Sequence, residues 1–292
     1  MGPMRRRWSP TSKRRTFNSP FDMAGMDRLA PAKVNLFLHV GAPTSDGFHP
    51  VCSLMAFADL GDRVTLTPGG SGFRVVGPFA SGLAEEGNNL VTRARDAVLA
   101  AAPAPPAAFG LTLHKALPVA SGLGGGSSDA AATLRLVRDH LGLSLDDDRL
   151  RDIAARLGSD TPACVDPRPV IATGRGERLA PCPAFPDLPV VLVNPGVASP
   201  TGAVYRAYDA AVAPEGANAP PWPARLASPA DMAAFLKTCR NDLQGPAVAL
   251  RPAIAETLAE IAQAPEALLT RMSGSGATCF AVCADTSAAH RL

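Results

Sequence analysis

Acidic residues are almost missing from the first 25 positions, where Lys13, Arg5, Arg6, Arg7, Arg14 and Arg15 face Asp22 alone. This tail carries +5 in a chain whose formal charge is +2, so the remainder sums to −3. A mildly acidic body lacks the basic face on which nucleic-acid binding depends. No apolar run approaches the ~18 residues of a membrane span. The six cysteines, Cys52, Cys164, Cys182, Cys239, Cys279 and Cys283, form no CxxC pair and are scattered through apolar segments. That pattern speaks against a zinc site or a disulfide framework and favours reduced thiols in a cytoplasmic protein. Aromatic residues are scarce at 5%, so those near polar motifs stand out.

What remains is a chain of 292 residues rich in aliphatics and alanine, with Pro 29 and Gly 26 to supply turns. It is long enough for two domains, each with its own core. The Arg/Ser/Thr-rich tail reads as a disordered extension over 1–27, with Met23 and Met26 as candidate starts and a transit peptide as the alternative. A Pro-rich link, "VDPRPV", divides the rest into 28–165 and 166–292. The ending "SAAHRL" reads as the opening of a helix, as in a truncated domain. No feature enforces assembly, and a monomer or weak homodimer is expected.

"KVNLFLHV" alternates, placing Val34, Leu36, Leu38 and Val40 on one strand face and Lys33, Asn35, Phe37 and His39 on the other. "RVTLT", "FRVV" and "FGLTLHKALP" read as further strands, and "NNLVTRARDAVLAAA" as a helix starting near Asn88 or Asn89. Four glycines in five positions, Gly122 to Gly126, then precede an alanine-rich helix that Ser127 or Ser128 would cap. A second helix follows with Ser144 as its cap and Gly158 as its stop, and "SDTP" puts Asp160 in a tight turn. The second half offers strands at "PVIAT" and "PVVLVNPG", helices near 230–243 and 252–263, and a glycine turn between two short strands in "TRMSGSGATCFAVCAD".

The first glycine loop fits neither common phosphate fingerprint. It lacks the GK[ST] of a Walker A loop, and Ser127 stands where the dinucleotide motif needs its last glycine. The underlying physics still applies: consecutive glycines expose backbone N–H groups, Ser127 and Ser128 add hydroxyls, and a helix N-terminus points at the same place. The loop is expected to hold a polyphosphate, a mobile linker being the alternative.

"PVASGLGGGSSDAA" resembles the second motif of the GHMP kinase superfamily. "APAKVNLFLHV", "SDGFHPV", "LGSDTP" and "MSGSGATCF" complete five motifs in family order over about residues 29–284. The resemblance implies an α+β, two-domain GHMP kinase fold: an N-terminal domain like the second domain of ribosomal protein S5, a ferredoxin-like C-terminal domain, and an active site between them. Within the superfamily the motifs are most similar to the branch that transfers the ATP γ-phosphate to the 2-hydroxyl of a diphosphocytidyl methylerythritol in non-mevalonate isoprenoid synthesis. Homoserine and mevalonate kinases are the alternatives within the fold, and a nucleotide-binding protein without turnover is the alternative outside catalysis.

The resemblance implies Lys33 and Asp160 as catalytic residues. The chemistry agrees with it: a tertiary alcohol is a poor nucleophile, a carboxylate can take its proton, and an ammonium beside the carboxylate orients the hydroxyl. On their own, Lys33 reads as a solvated strand lysine and Asp160 as a turn or cap aspartate. For ATP the resemblance implies Asn89, Lys115 and the loop residues Pro118, Val119, Ala120, Ser121, Gly122, Leu123, Gly124, Gly125, Gly126, Ser127 and Ser128. For the small-molecule substrate it implies Asn35, Thr201, the glycine turn Gly274, Ser275 and Gly276, and Phe48, His49 and Tyr205 around the cytosine; core packing is the alternative for Phe48. The family more often has tyrosine at position 48; the phenylalanine here keeps stacking but not a hydroxyl contact. Mg2+ is expected with ATP, yet no acidic cluster marks a metal site in the sequence.

Overall fold

The computed structural model describes residues 4–8, 26–81, 83, 89–103, 107–211 and 214–292. Its first sheet is built around a long antiparallel pair, β2 (Met26–Val40) and β3 (Val51–Pro68). Along its other edge β3 changes partner. Residues 51–55 pair with β6 (Val170–Gly174), which continues to β7 (Arg178–Pro181), and residues 63–68 pair with β5 (Phe109–His114), flanked in parallel by β4 (Phe73–Val76). The β6–β7 hairpin, which follows the Pro-rich link in sequence, therefore extends the sheet of the first half. A second, antiparallel sheet has the order β1 (Met4–Trp8), β8 (Val190–Asn194), β10 (Cys279–Cys283), β9 (Ala267–Met272). Apart from Met4–Trp8, Met26 and Asp27, the basic extension lies outside the described residues.

Helices α1 (Leu90–Ala101), α2 (Gly125–Leu141), α3 (Asp147–Ala155) and α4 (Thr161–Val165) cover the first sheet, closing a core that includes Val64, Leu66, Leu113, Leu134, Val137 and Leu150. The second sheet is joined by α5 (Thr201–Ala211), α6 (Pro229–Lys237), α7 (Gln244–Leu250), α8 (Ala253–Ala262) and α9 (Thr286–Arg291). In α9, Ala288 and Ala289 are buried. A third body of apolar side chains, with Leu36, Phe37, Leu54, Leu192, Phe235 and Phe280, lies between the two sheets, so the halves share a core.

Several local expectations differ from the structure, each for a physical reason. Every residue from Ala30 to Val40 is buried, because β2 is covered on both faces. Its alternation is also broken by register shifts between Pro31 and Lys33 and between Asn35 and Phe37. Phe37 therefore joins Leu36 in the central core instead of facing the same way as Lys33. Helix α2 starts at Gly125 behind Gly124, which adopts φ +60°; neither serine caps it, and the Ser128 hydroxyl donates to the Pro31 carbonyl at 2.7 Å. Asp146, not Ser144, caps α3 by accepting from the Arg149 N–H, and the helix ends at Ala155. The segment 230–243 breaks after Lys237, and α5 and β7 appear where no element had been expected.

Arg271 of β9 locks the two halves together. It is buried, and its guanidinium donates to the carbonyls of Leu36, Leu236 and Cys239 at 2.7–2.8 Å. Two of those carbonyls lie at the C-terminal end of α6, where the helix dipole favours a cation. The strut thus joins β2, which carries Lys33, to the C-terminal sheet.

Candidate active site

The glycine loop is assembled from both halves of the chain. Ala120 has φ +50° and Gly122 φ +76°. From the C-terminal half, Ser199 N donates to Ala120 O at 3.1 Å, Thr278 N to Ser121 O at 3.0 Å, and Ser273 Oγ to Gly122 O at 2.8 Å. A Cβ on Gly122 would stand 2.3 Å from Ser273 O, so only glycine permits this approach. From β2, Lys33 N donates to Leu123 O at 2.8 Å, and the Lys33 side chain packs where a Cβ on Gly124 would lie, at 3.0 Å from Cε. The loop then delivers the N-terminus of α2, a 17-residue helix whose first N–H groups have no partner within the helix. A cleft of about 520 Å³ opens beside it.

Lys33 and Asp160, 127 residues apart in sequence, meet in this cleft, Nζ donating to Oδ2 at 2.7 Å. The lysine is buried; the carboxylate is partly open. Asp160 is the residue before α4, but its side chain makes no capping bond, so the carboxylate is held by Lys33 and not spent on the helix. Asn35 lines the same cleft. Its Nδ2 donates to Ser53 Oγ at 2.8 Å, and Ser53 Oγ donates its own proton to Phe37 O at 2.6 Å. That chain fixes the amide orientation and leaves Asn35 Oδ1 as an acceptor with no protein partner.

Of the other expected residues, Asn89, Lys115, Pro118 to Gly122, Gly124 to Ser127, Thr201, Tyr205, Gly274 and Ser275 line the cleft. Thr201 and Ser275 share a hydroxyl contact of 2.9 Å, and Asn241 Nδ2 holds the C-terminal turn through Met272 O and Gly274 O. Leu123 and Ser128 do not line it: both are buried in the interior behind the loop. Gly276 faces Met272. His49 lies against Tyr205, ring centroids 5.0 Å apart, and its Nε2 contacts Asp209 Oδ1 at 2.7 Å. Burial, with the Asp160 charge nearby, pushes the Tyr205 phenol up to about 12, so it stays a donor at neutral pH. Phe48 is 52% exposed and outside the lining; Arg175, which does line the cleft, stands over its ring.

Lys115 has a different setting from a free phosphate-binding lysine. Its ammonium donates to Asp62 and, at 2.9 Å, to Asp129, and all three side chains are buried directly beneath Gly125. Asp62 also accepts from the N–H groups of Ala116 and Leu117. Burial opposes the charge on Lys115, but Asp129 and Asp62 outweigh it and hold the lysine above its ordinary range. Burial pushes the Asp129 carboxyl up to about 8 against the pull of Lys115, and its Oδ1 has no protein partner. Asp129 was legible only as a polar residue in "SSDAA"; its partners come from β3 and the end of β5, which no local pattern reveals.

A raised carboxyl pKa has a defined sign in stability. Between the ordinary value of 3.8 and about 8, the folded protein holds a proton on Asp129 that the unfolded chain has lost, so this group's contribution falls as pH rises and levels off above about 8. Asp129→Asn is expected to remove that slope. Melting temperatures of both proteins from pH 5 to 9 check it: the variant should gain on the wild type as pH rises, and a constant difference would refute the assignment.

The residues around the loop fit ATP. A cradle that Cβ atoms would fill, backbone N–H groups and a helix N-terminus form a polyphosphate site. Among the described residues no group of three or more His, Cys, Asp or Glu could hold a metal, and Asp160 and Asp129 each face a lysine.

This glycine cradle, shared by two α+β domains with a lysine–aspartate pair at its mouth, defines a small-molecule kinase of the GHMP type. The family models agree: the GHMP kinases N terminal domain matches residues 89–167 and the GHMP kinases C terminal matches 227–292. A protein of Caulobacter vibrioides (strain NA1000 / CB15N) named 4-diphosphocytidyl-2-C-methyl-D-erythritol kinase is 54% identical over 269 residues, 91% of this chain and 93% of its own. One of the same name from Caulobacter sp. (strain K31) is 56% identical over 261 residues, 89% of each chain. A crystal structure of 4-(cytidine 5'-diphospho)-2C-methyl-D-erythritol kinase superposes with TM-score 0.71 at 36% identity, covering 91% of this chain and 93% of that one. A mevalonate kinase structure, TM-score 0.64 at 11% identity over 92% of this chain and 94% of its own, shares the fold alone. The chain belongs to the 4-diphosphocytidyl-2-C-methyl-D-erythritol kinase family of GHMP kinases.

Proposed function

We infer that this chain transfers the γ-phosphoryl group of ATP to the 2-hydroxyl of 4-diphosphocytidyl-2-C-methyl-D-erythritol, a step in non-mevalonate isoprenoid precursor synthesis. The observation that carries the reading is the Lys33–Asp160 pair at 2.7 Å in the cleft beside the glycine loop. ATP supplies the phosphoryl group, with its phosphates against the N–H groups of the loop and the α2 N-terminus. Asp160 accepts the proton of the acceptor hydroxyl through its free oxygen. Lys33 fixes the carboxylate from the other side and places positive charge beside the oxygen that attacks. Asn35 Oδ1, left without a protein partner, orients a substrate hydroxyl. Close packing of Gly122 against Ser273 keeps the two halves of the site in register for the in-line transfer.

Tyr205 with His49 forms one wall of the cytosine site, and Phe48 offers a second ring. Mg2+ accompanies ATP, held mainly by the phosphates and by the hydroxyl of Ser127, since the acidic residues nearby are engaged. The six unpaired thiols among the described residues support a cytoplasmic location, and no described helix is long and apolar enough to cross a membrane. The substrate assignment is tested by measuring ADP release with the diphosphocytidyl alcohol, homoserine and mevalonate. Saturable turnover is expected with the first alone. Turnover with either of the others and none with the first would overturn it.

A further inference from the structure

We propose that Arg175 is a specificity-determining residue that couples recognition of the substrate's base to recognition of its diphosphate: its guanidinium covers a face of the Phe48 ring until a phosphate group draws it away. The proposal rests on reading the substrate as a diphosphocytidyl alcohol whose base stacks on Phe48.

Arg175 sits at the tip of the β6–β7 turn, between Gly174 at φ +72° and Gly176 at φ +106°. The turn is folded over its own carboxylate: Arg175 N donates to Glu177 Oε2 at 2.5 Å, and a Cβ on Gly174 would meet Glu177 Oε1 at 2.5 Å. This projects the arginine toward the β2–β3 loop. There its Cζ lies 4.1 Å from the centroid of the Phe48 ring, and Nη2 pairs with Asp46. Asp46 is itself fixed, accepting from Thr44 Oγ1 at 2.6 Å and from Phe48 N at 3.2 Å. One arm thus holds both the ring and the cation over it. Arg175 lines the cleft and Phe48 does not, so the cation that covers one face of the ring is also within reach of a ligand in the cleft.

The arrangement is made to yield. Phe48 is 52% exposed and the Arg175 side chain 49%, and cation–π contacts and ion pairs are weak at such sites. The other cations lining the cleft among the described residues are committed: Lys33 is buried on Asp160, and Lys115 is enclosed by two carboxylates. A diphosphate offers the guanidinium charged, bidentate acceptors that outcompete both present contacts. A ligand carrying the diphosphate moves Arg175 onto its phosphates and exposes the ring for its base. A bare nucleoside has to displace the cation without replacing its contacts.

Equilibrium binding of cytidine and of cytidine diphosphate to the full chain, and to its Arg175→Ala and Arg175→Lys variants, tests this. Arg175→Ala is expected to weaken cytidine diphosphate by ~10–100-fold and to strengthen cytidine by ~2–5-fold. Arg175→Lys keeps the charge but not the planar stack, so cytidine should gain similarly while the diphosphate loses less than in the alanine variant. If wild type binds both ligands and the two respond to Arg175→Ala by the same factor, or not at all, the coupling is wrong. If wild type binds neither, the substrate reading itself fails, and the role of Arg175 with it.

Discussion

Asp160→Asn is expected to lower kcat by ~10²–10⁴-fold while leaving the affinity for ATP within a few-fold of wild type. The amide keeps the shape of the side chain and an oxygen to accept from Lys33 Nζ, whose 2.7 Å bond is the only hydrogen bond to the carboxylate among the described residues. What it loses is the capacity to take a proton from the acceptor hydroxyl. The nucleotide side does not depend on Asp160, because the loop is held by Lys33 N, Ser199 N, Thr278 N and Ser273 Oγ. Single-turnover kinetics with equilibrium ATP binding separate the two effects. Unchanged turnover would remove Asp160 from the chemistry, and a parallel loss of ATP binding would make it a structural residue.

Gly122→Ala is expected to act through geometry and to be nearly as damaging. At φ +76° any side chain is strained, by ~1–2 kcal/mol. The added Cβ would also stand 2.3 Å from Ser273 O and 2.9 Å from Gly276 N, both backbone atoms that cannot swing aside. Relief requires the C-terminal turn to back away from the phosphate loop, at an overpacking cost of about 1–3 kcal/mol. The expected result is a melting temperature several degrees lower, with kcat/KM for ATP down by ~10²-fold or more, since small misplacements of reacting groups have effects of that size. Gly124→Ala provides the contrast. Its nearest neighbours are the Cε and Cβ of Lys33 at 3.0 and 3.2 Å, so the disturbance falls on the lysine proposed to hold Asp160, and kcat should suffer more than stability. If Gly122→Ala were as stable and active as wild type, the glycine would not be required by the approach of the two halves.

The two glycine positions show how differently the same residue type is read from sequence and from structure. Their clustering before an alanine-rich helix leads to the expectation of a phosphate loop, because exposed N–H groups and a helix N-terminus are local properties. The reason each must be glycine is a neighbour from a distant part of the chain, Ser273 for one and Lys33 for the other. The aromatic residues divide in the same way. Tyr205 lines the cleft with the His49 ring against it, whereas His49 and Phe48 both stand outside the lining, Phe48 under Arg175, whose place depends on how the β6–β7 hairpin returns beside β3.

Most strands, most helices and the glycine loop before α2 follow from the sequence alone, because hydrophobic period, capping residues and consecutive glycines act over a few residues. Five ordered motifs carry the family resemblance and with it the expectation that Lys33 and Asp160 act as a pair. Tertiary structure alone decided that Asp160 is turned to Lys33 instead of capping α4, and that Lys115 is shared by Asp62 and Asp129. It also decided that Arg175 stands over Phe48. Each of these depends on charged side chains brought together across long stretches of chain. Their pairing is fixed by the packing of sheets and turns, and short-range preference contains no term for it.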